Sequence, residues 1–364
     1  MRGPLRLMAA LSLVLAWTGA TTIQPSWACG CGAMVTRDQK ITVNSETSIV
    51  RFDQAAASEQ IVMRFNVKSA ATDAAWLFPT PSAATVQLGD PDWFDQLDSL
   101  TEPKEIVHHT WWGPLFRSRH HVYGSTSTVR ESPPVALLHE ERLGPFQVAT
   151  LAASDPAALA GWLTAHGYKL SPKLAGALTP YVTQGWKYVA IKLVPRAGGG
   201  RLNGVLDPLH VTFKTTTPIY PMRLSRLATT PQYLRLYLLG THRLDAIGGP
   251  AEQVPGDTGT WRVPYADWIT PSQVRSPDLR AFLGGRTFMT VRNATLQPGS
   301  ITDDIHLGYV PDTTYRNTYS VTEVVRFMGI PAGWAIVFGG FFGTAVLTGL
   351  VLAVRMRRRS VPAG

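Results

Sequence analysis

From Trp334 to Val354 the sequence runs 21 residues without a charge, and Arg355-Met356-Arg357-Arg358-Arg359 follows at once. A helix rising about 1.5 Å per residue covers about 31 Å over that stretch, the thickness of a bilayer's hydrocarbon core at roughly 30 Å. A soluble helix is rarely apolar on every face, and four arginines at its end are a stop-transfer signal. We read residues 331–354 as a transmembrane helix, with Trp334 at its outer edge. Arg355, Arg357, Arg358 and Arg359 then hold a basic tail, 355–364, on the cytoplasmic side. Gly339 and Gly343 form a GxxxG pair that would allow close helix packing.

The other end has the pattern of a secretory signal. Arg2 and Arg6 precede the apolar run Leu7–Ala16, which is too short to span. Small-x-small cleavage sites lie after Ala20 and after Ala28, and residues 1–28 are read as the signal peptide. Signal plus stop-transfer predicts a single-pass protein of the cell membrane, with the domain 29–328 extracellular. The net charge of +9 fits this: six of the nine come from Arg2, Arg6 and the four arginines of the tail. The three left over some 300 residues give no electrostatic footing for nucleic acid.

Between the two ends the pattern is that of an α+β, β-rich domain with a few short helices. Strands are expected at Ile41–Val43, Ile49–Phe52, Gln60–Val67, Ala74–Phe78, Pro145–Leu151, Trp186–Val194, Leu209–Lys214, Met222–Ala228 and Tyr233–Leu239. Weaker ones are expected at Thr260–Val263 and Thr287–Arg292. Asp90-Pro91, Asp155-Pro156 and Ser171-Pro172 each place a capping side chain before a proline, and so open three helices. Gly167 ends the second. Arg196–Asn203 reads as a glycine-rich loop, near which two lobes would meet at about residue 200. Pro298–Gly329 carries little regular pattern.

Several long segments resemble a bacterial family of exported proteins, those containing the domain of unknown function numbered 2330. They are "ACGCGA", "SIVRFD…EQIVMRFNV", "AAWLFPTPSAATVQLGDPDWFDQLDSLTEP", "LAASDPAALAGWLTAHGYKL…LTPYVTQGWKYVAIKL" and "PLHVTFKTTTPIYPMRLS". The resemblance implies an envelope protein of Gram-positive, actinobacterial type with a signal peptide and often a C-terminal span. It implies no activity and supplies no catalytic residues.

Motifs that would carry chemistry are sparse. G-x-S-x-G is absent, and His139-Glu140-Glu141-Arg142 lacks the second histidine of H-E-x-x-H. "GGGRLNG" has Asn203 where a dinucleotide loop needs glycine. His108-His109 and His120-His121 would bring one histidine from each pair to a common face if the segment between folds as a hairpin. Two imidazoles without further ligands make a poor metal site, and a solvated hairpin is the simpler reading. Trp111, Trp112, Phe116 and Tyr123 are either an exposed aromatic patch or, more simply, packing against a satellite core. Asp303-Asp304 reads as a solvated loop.

Cys29 and Cys31 are the two cysteines of the chain. A lipid anchor would want a leucine-like residue at Ser26, so lipidation is not expected. On the oxidising side of a membrane a Cys29–Cys31 disulfide with a structural role is the default. A strained, exposed disulfide would be the reactive kind, which keeps a thiol-redox or metal-handling role on Cys29 and Cys31 as the alternative. The leading expectation is a non-enzymatic ectodomain that binds an envelope protein or cell-wall glycan, without cofactor or metal; the sequence sets no oligomeric state.

Overall fold

Every residue of the strand Ala74–Thr80 is buried, an arrangement possible only when both faces of a sheet are covered. Ala74, Trp76 and Phe78 point into one core, Ala75 and Leu77 into another. The computed structural model describes residues 31–37, 40–113, 142–143, 146–151, 156–168, 170–194, 200–249 and 261–359. The expected signal segment, Cys29, Phe116, His120, His121, Tyr123 and the first half of the glycine-rich loop lie outside the described residues.

In chain order the strands begin β1 (Ala33–Val35), β2 (Ile41–Asp53), β3 (Ser58–Ser69), β4 (Ala74–Thr80) and β5 (Ala84–Leu88), then helix α1 (Asp92–Leu100). There follow β6 (Lys104–Thr110), β7 (Arg142–Leu143), β8 (Phe146–Leu151), α2 (Pro156–Ala165), α3 (Pro172–Thr183), β9 (Lys187–Leu193), β10 (Asn203–Val205), β11 (Leu209–Lys214) and β12 (Ile219–Tyr220). Next come β13 (Gln232–Gly240), β14 (Leu244–Gly248), β15 (Trp261–Ile269), α4 (Pro277–Leu283), β16 (Thr287–Leu296) and β17 (Ile305–Tyr309). The chain closes with β18 (Tyr315–Arg316), β19 (Thr318–Val324), β20 (Arg326–Phe327), β21 (Ile330–Pro331) and α5 (Ala332–Arg359).

Two compact units result, one taking the described residues up to Glu102 and from Leu137 to Arg316, the other those of Pro103–Ala136 and from Asn317 onward. The first is layered. One sheet has the order β1-β4-β9-β8-β7, and a larger one runs β18-β15-β16-β13-β2-β3-β11-β5 with β10 beside β3. Their facing sides share a core with the small sheet β12-β17-β14, and Phe65 of the large sheet meets Trp76 of the other edge-on at 5.4 Å. Leu159 and Leu163 of α2, with Leu174, Leu178 and Tyr181 of α3, cover the outer face of the smaller sheet. Trp93, Phe94 and Leu97 of α1, with Leu279, Phe282 and Leu283 of α4, cover that of the larger one. The order is therefore helix, sheet, sheet, helix, an α+β, β-rich unit as the pattern predicts.

The helix starts follow the capping residues. Ser171 accepts the Leu174 amide (3.2 Å) ahead of Pro172, and Asp90 accepts that of Asp92 (2.9 Å). Gly167, at φ +79°, follows the last turn of α2. Residue 200 falls inside the first unit, between β9 and β10.

Two expectations are corrected. Met222–Ala228 is no strand: Ile219–Tyr220 is extended, and Arg223–Leu227 closes into a 3-10 turn. The stretch 298–329 is regular, contributing β17, β18, β19 and β20. Past β17 the strands lack clean alternation because β18 and β19 bury little, so periodicity has nothing to register there.

The second unit holds a parallel ribbon of β6 and β19, in register from Thr318↔Lys104 to Val324↔Thr110, and the helix α5. Over Ala332–Met356 the most apolar stretch of this helix has a mean hydropathy of 2.1 and no buried residue, long and apolar enough to cross a membrane.

Candidate functional site

The site with the densest chemistry starts from a one-residue irregularity in β2. Ile41 and Val43 point into the shared core, and strict alternation would send Ser45 and Thr47 there next. A register shift between Val43 and Ser45 reverses the parity, so that Glu46, Ser48, Val50 and Phe52 face inward instead. The bulge thus delivers a carboxylate and a hydroxyl to an apolar interior, where each must find partners.

Glu46 finds them at both oxygens. The Cys31 amide donates to Oε2 (2.7 Å), and the Tyr220 hydroxyl donates to Oε1 (2.5 Å) while lying 2.7 Å from Ser48 Oγ. Trp76 Nε1 donates to the Cys31 carbonyl (3.0 Å), and Cys31 Sγ rests against Met63 Sδ at 2.9 Å. Gly32 is required beside them. Its φ is +104°, and a Cβ there would stand 2.3 Å from the Leu77 carbonyl oxygen.

Two more buried carboxylates hold the same short segment. Glu59 Oε2 accepts the Ile219 amide (3.0 Å), and Asp304 Oδ1 accepts those of Met222 and Arg223 (2.8 Å each) and the Tyr181 hydroxyl (2.5 Å). Arg223 pairs with Asp304 Oδ2 (3.2 Å) and with Asp303. Ile219–Arg223 is therefore stitched down by carboxylates from β2, β3 and the turn before β17. The expectation of a solvated Asp303-Asp304 loop is corrected: Asp304 is fully buried, and only Asp303 reaches solvent.

Burial sets the electrostatics. It pushes Glu46, Glu59 and Asp304 above the usual carboxylate range, Glu59 most of all, since the Ile219 amide is its one counterweight. Among the described residues Glu59 Oε1 has no hydrogen-bond partner. The Cys31 thiol is pushed well up by burial and then by the Glu46 charge, which disfavours the thiolate that redox or metal chemistry needs. These groups are buried, and apart from Glu59 Oε1 their carboxylate oxygens meet backbone amides, phenol hydroxyls or the Arg223 guanidinium. The arrangement locks the start of β1 to the segment before the 3-10 turn; it presents no nucleophile to a substrate.

An accessible feature lies close by. Parallel pairing of β2 with β13 starts at Glu46↔Leu234, and an open groove of about 540 Å³ forms there. Ser45, Thr47, Tyr233, Arg235, Arg262 and Asn293 are among its walls. Arg235 is fixed within it by Asp98 (2.8 Å), Asn293 (3.2 Å) and the Tyr237 hydroxyl (2.9 Å), while Tyr233 stands exposed. No sequence motif marks this groove, since its walls come from four strands.

The histidine pair His108-His109 lies on β6, whose partner is β19. His109 Nδ1 faces Glu323 at 3.9 Å, and its neighbour points to the opposite face of the ribbon. Among the described residues no group of three or more His, Cys, Asp or Glu side chains could hold a metal ion. The simpler reading of Trp111 and Trp112 is also corrected: both are exposed rather than packed into a satellite core. Of the arginines expected to act as a stop-transfer signal, Arg355 lies in α5 and the backbone helix continues to Arg359. Cys31 is placed and buried; its expected partner Cys29 lies outside the described residues.

A family model described as "Uncharacterized protein conserved in bacteria (DUF2330)" matches residues 25–308. The chain belongs to that family. The DUF2330 match takes in the carboxylate-stitched segment and the groove, and it ends ahead of β19 and α5. No curated protein matches the sequence. Among solved structures, that of baculovirus P35 aligns over 74% of this chain and 97% of that one, at 10% identity and a TM-score of 0.36. A likeness that low carries no argument about function.

Proposed function

We propose that this DUF2330 protein is a non-enzymatic, single-pass membrane protein of the bacterial cell envelope whose ectodomain binds a protein or cell-wall glycan. The observation that carries the reading is α5: 25 largely apolar residues whose most apolar stretch is wholly unburied, running into the arginines of the tail. An unburied helix of that composition costs far too much in water, and a bilayer removes the cost. The positive-inside rule orients it, with the arginines cytoplasmic and the first unit outside.

Binding rather than catalysis is supported by where the polar chemistry sits. The perturbed carboxylates are sealed in the core and committed to backbone amides, whereas the groove at Tyr233 offers an open, polar and aromatic surface on rigid strands. A photo-crosslinking residue in place of Tyr233, in the full chain in its native membrane, should give one discrete adduct with an envelope protein or wall fragment. A Thr47→Trp change, filling the groove, should remove that adduct. A groove that yields no adduct, or one unaffected by Thr47→Trp, contradicts the assignment. Alkaline carbonate should leave the full chain in the membrane pellet and release a chain ending before Ala332.

A further inference from the structure

Around the first turn of α5 the second unit gathers a set of large apolar side chains that it does not bury. The Gly333 amide donates to the Trp111 carbonyl (2.8 Å), and Trp334 Nε1 donates to that of Gly113 (3.2 Å). The Trp112 and Trp334 rings meet edge-on at 5.6 Å. The glycine is needed for this approach, because a Cβ at Gly333 would stand 2.7 Å from the Trp112 ring. From the other side the Ala332 amide donates to the Val325 carbonyl (2.7 Å), which fixes the β20–β21 hairpin at the same level. The end of β6, far upstream in sequence, is thereby pinned to the helix start.

The hairpin itself is unusual. Its two turn residues, Met328 and Gly329, both have positive φ, at 52° and 85°. A tight hairpin of that kind favours Asn-Gly, and an unbranched apolar side chain in the left-handed region is uncommon. Here Met328 occupies that position and is 88% exposed, flanked by exposed Phe327 and Ile330. Trp111 and Trp112 stand more than half exposed at the level of the same helix turn. A strained backbone that presents a large apolar group to solvent points to a ligand for it.

Building on the membrane-spanning reading of α5, we infer that Trp111, Trp112, Phe327, Met328 and Ile330 form a collar that sits in the outer interface of the same bilayer, a second membrane contact beside the helix. The occupant follows from continuity: where α5 enters the hydrocarbon, residues pinned to its first turn must lie at the headgroup level. Indole rings favour that depth, since each has an apolar body and one N–H for the wet side. The hairpin inserts its tip alongside, and the collar then fixes the direction in which the β6–β19 ribbon leaves the membrane.

The test places an environment-sensitive fluorophore on single-cysteine positions of the full chain, reconstituted in phosphatidylcholine–phosphatidylglycerol vesicles with or without nitroxide-labelled lipid. The positions are Met328→Cys, Trp112→Cys, Glu323→Cys on the ribbon and Leu347→Cys in the middle of α5. Blue-shifted emission and quenching at 347, 328 and 112, with neither at 323, is the expected result. Quenching at 347 without quenching at 328 and 112 overturns the collar while leaving the spanning helix in place. No quenching at 347 overturns the spanning reading, and the collar with it. A 328 signal that follows the protein-to-lipid ratio rather than the nitroxide assigns the surface to a second copy of the chain and also overturns the inference.

Discussion

Tyr220 donates its hydroxyl hydrogen to Glu46 at 2.5 Å across 174 positions of sequence, inside a core that excludes water. The bond ties the start of β1, through the Cys31 amide on the other carboxylate oxygen, to the segment that precedes the 3-10 turn. Tyr220→Phe keeps the ring and removes the donor. It should destabilise the first unit by about 1–3 kcal/mol, the usual cost of orphaning a buried polar group. Chemical denaturation of the full chain measures this; an unchanged midpoint would show that the bond holds nothing.

Glu59 should give stability a pH dependence of definite sign. Burial raises its folded pKa well above the usual 4.5, so the folded state binds the proton more tightly than the unfolded one. The stability this contributes is complete below about 4.5 and is lost as pH rises through the folded value. Other groups act oppositely: His210, lowered by burial, costs stability as pH falls below its usual 6.5, and Asp303 does so at more acidic pH. Glu59→Gln isolates the contribution of this one carboxyl. The variant should gain on the wild type as pH rises from 5 to 8, by about 1.4 kcal/mol for every pH unit that separates the folded and unfolded titrations of Glu59. Parallel melting curves across that range would exclude the effect.

Cys31 should be chemically silent in the folded protein. With Cys29→Ser to leave one cysteine, a maleimide should modify the native chain at a negligible rate and the urea-unfolded chain completely, because Cys31 is fully buried and its thiolate is disfavoured. Rapid native labelling would revive a reactive role for that thiol. In the unsubstituted chain, labelling after unfolding only when reductant is present would support the Cys29–Cys31 disulfide.

Gly32→Ala should be among the costlier glycine substitutions. It adds a side chain at φ +104° and drives it into the Leu77 carbonyl, a penalty of roughly 1–3 kcal/mol for the strain before the clash is counted. Gly200→Ala meets nothing within 4 Å and should stay within about 0.5 kcal/mol of the parent. Thermal melts of the two variants side by side make the comparison.

The readable parts of this fold are those whose signals are local. Asp90-Pro91 and Ser171-Pro172 announce helices that form where expected, and the apolar run after Trp334 announces α5. The site escapes such reading for a physical reason. Glu46 lies on the outward parity set by Ile41 and Val43, and only the bulge at Asn44, between Val43 and Ser45, turns it inward. Asp303-Asp304 reads as solvated because its partners Tyr181 and Arg223 lie 123 and 80 or more positions away. The β6–β19 pairing is hidden likewise: both strands are largely exposed, and their register joins segments 214 residues apart.

The proposed topology is one crossing of the membrane with the first unit outside. A membrane-impermeant maleimide on intact cells tests it, using Lys214→Cys on the exposed end of β11 and Ser360→Cys beyond the arginines. Labelling at 214 in intact cells, and at 360 only after lysis, is the predicted result. Labelling of 360 in intact cells, or of 214 only after lysis, would contradict it.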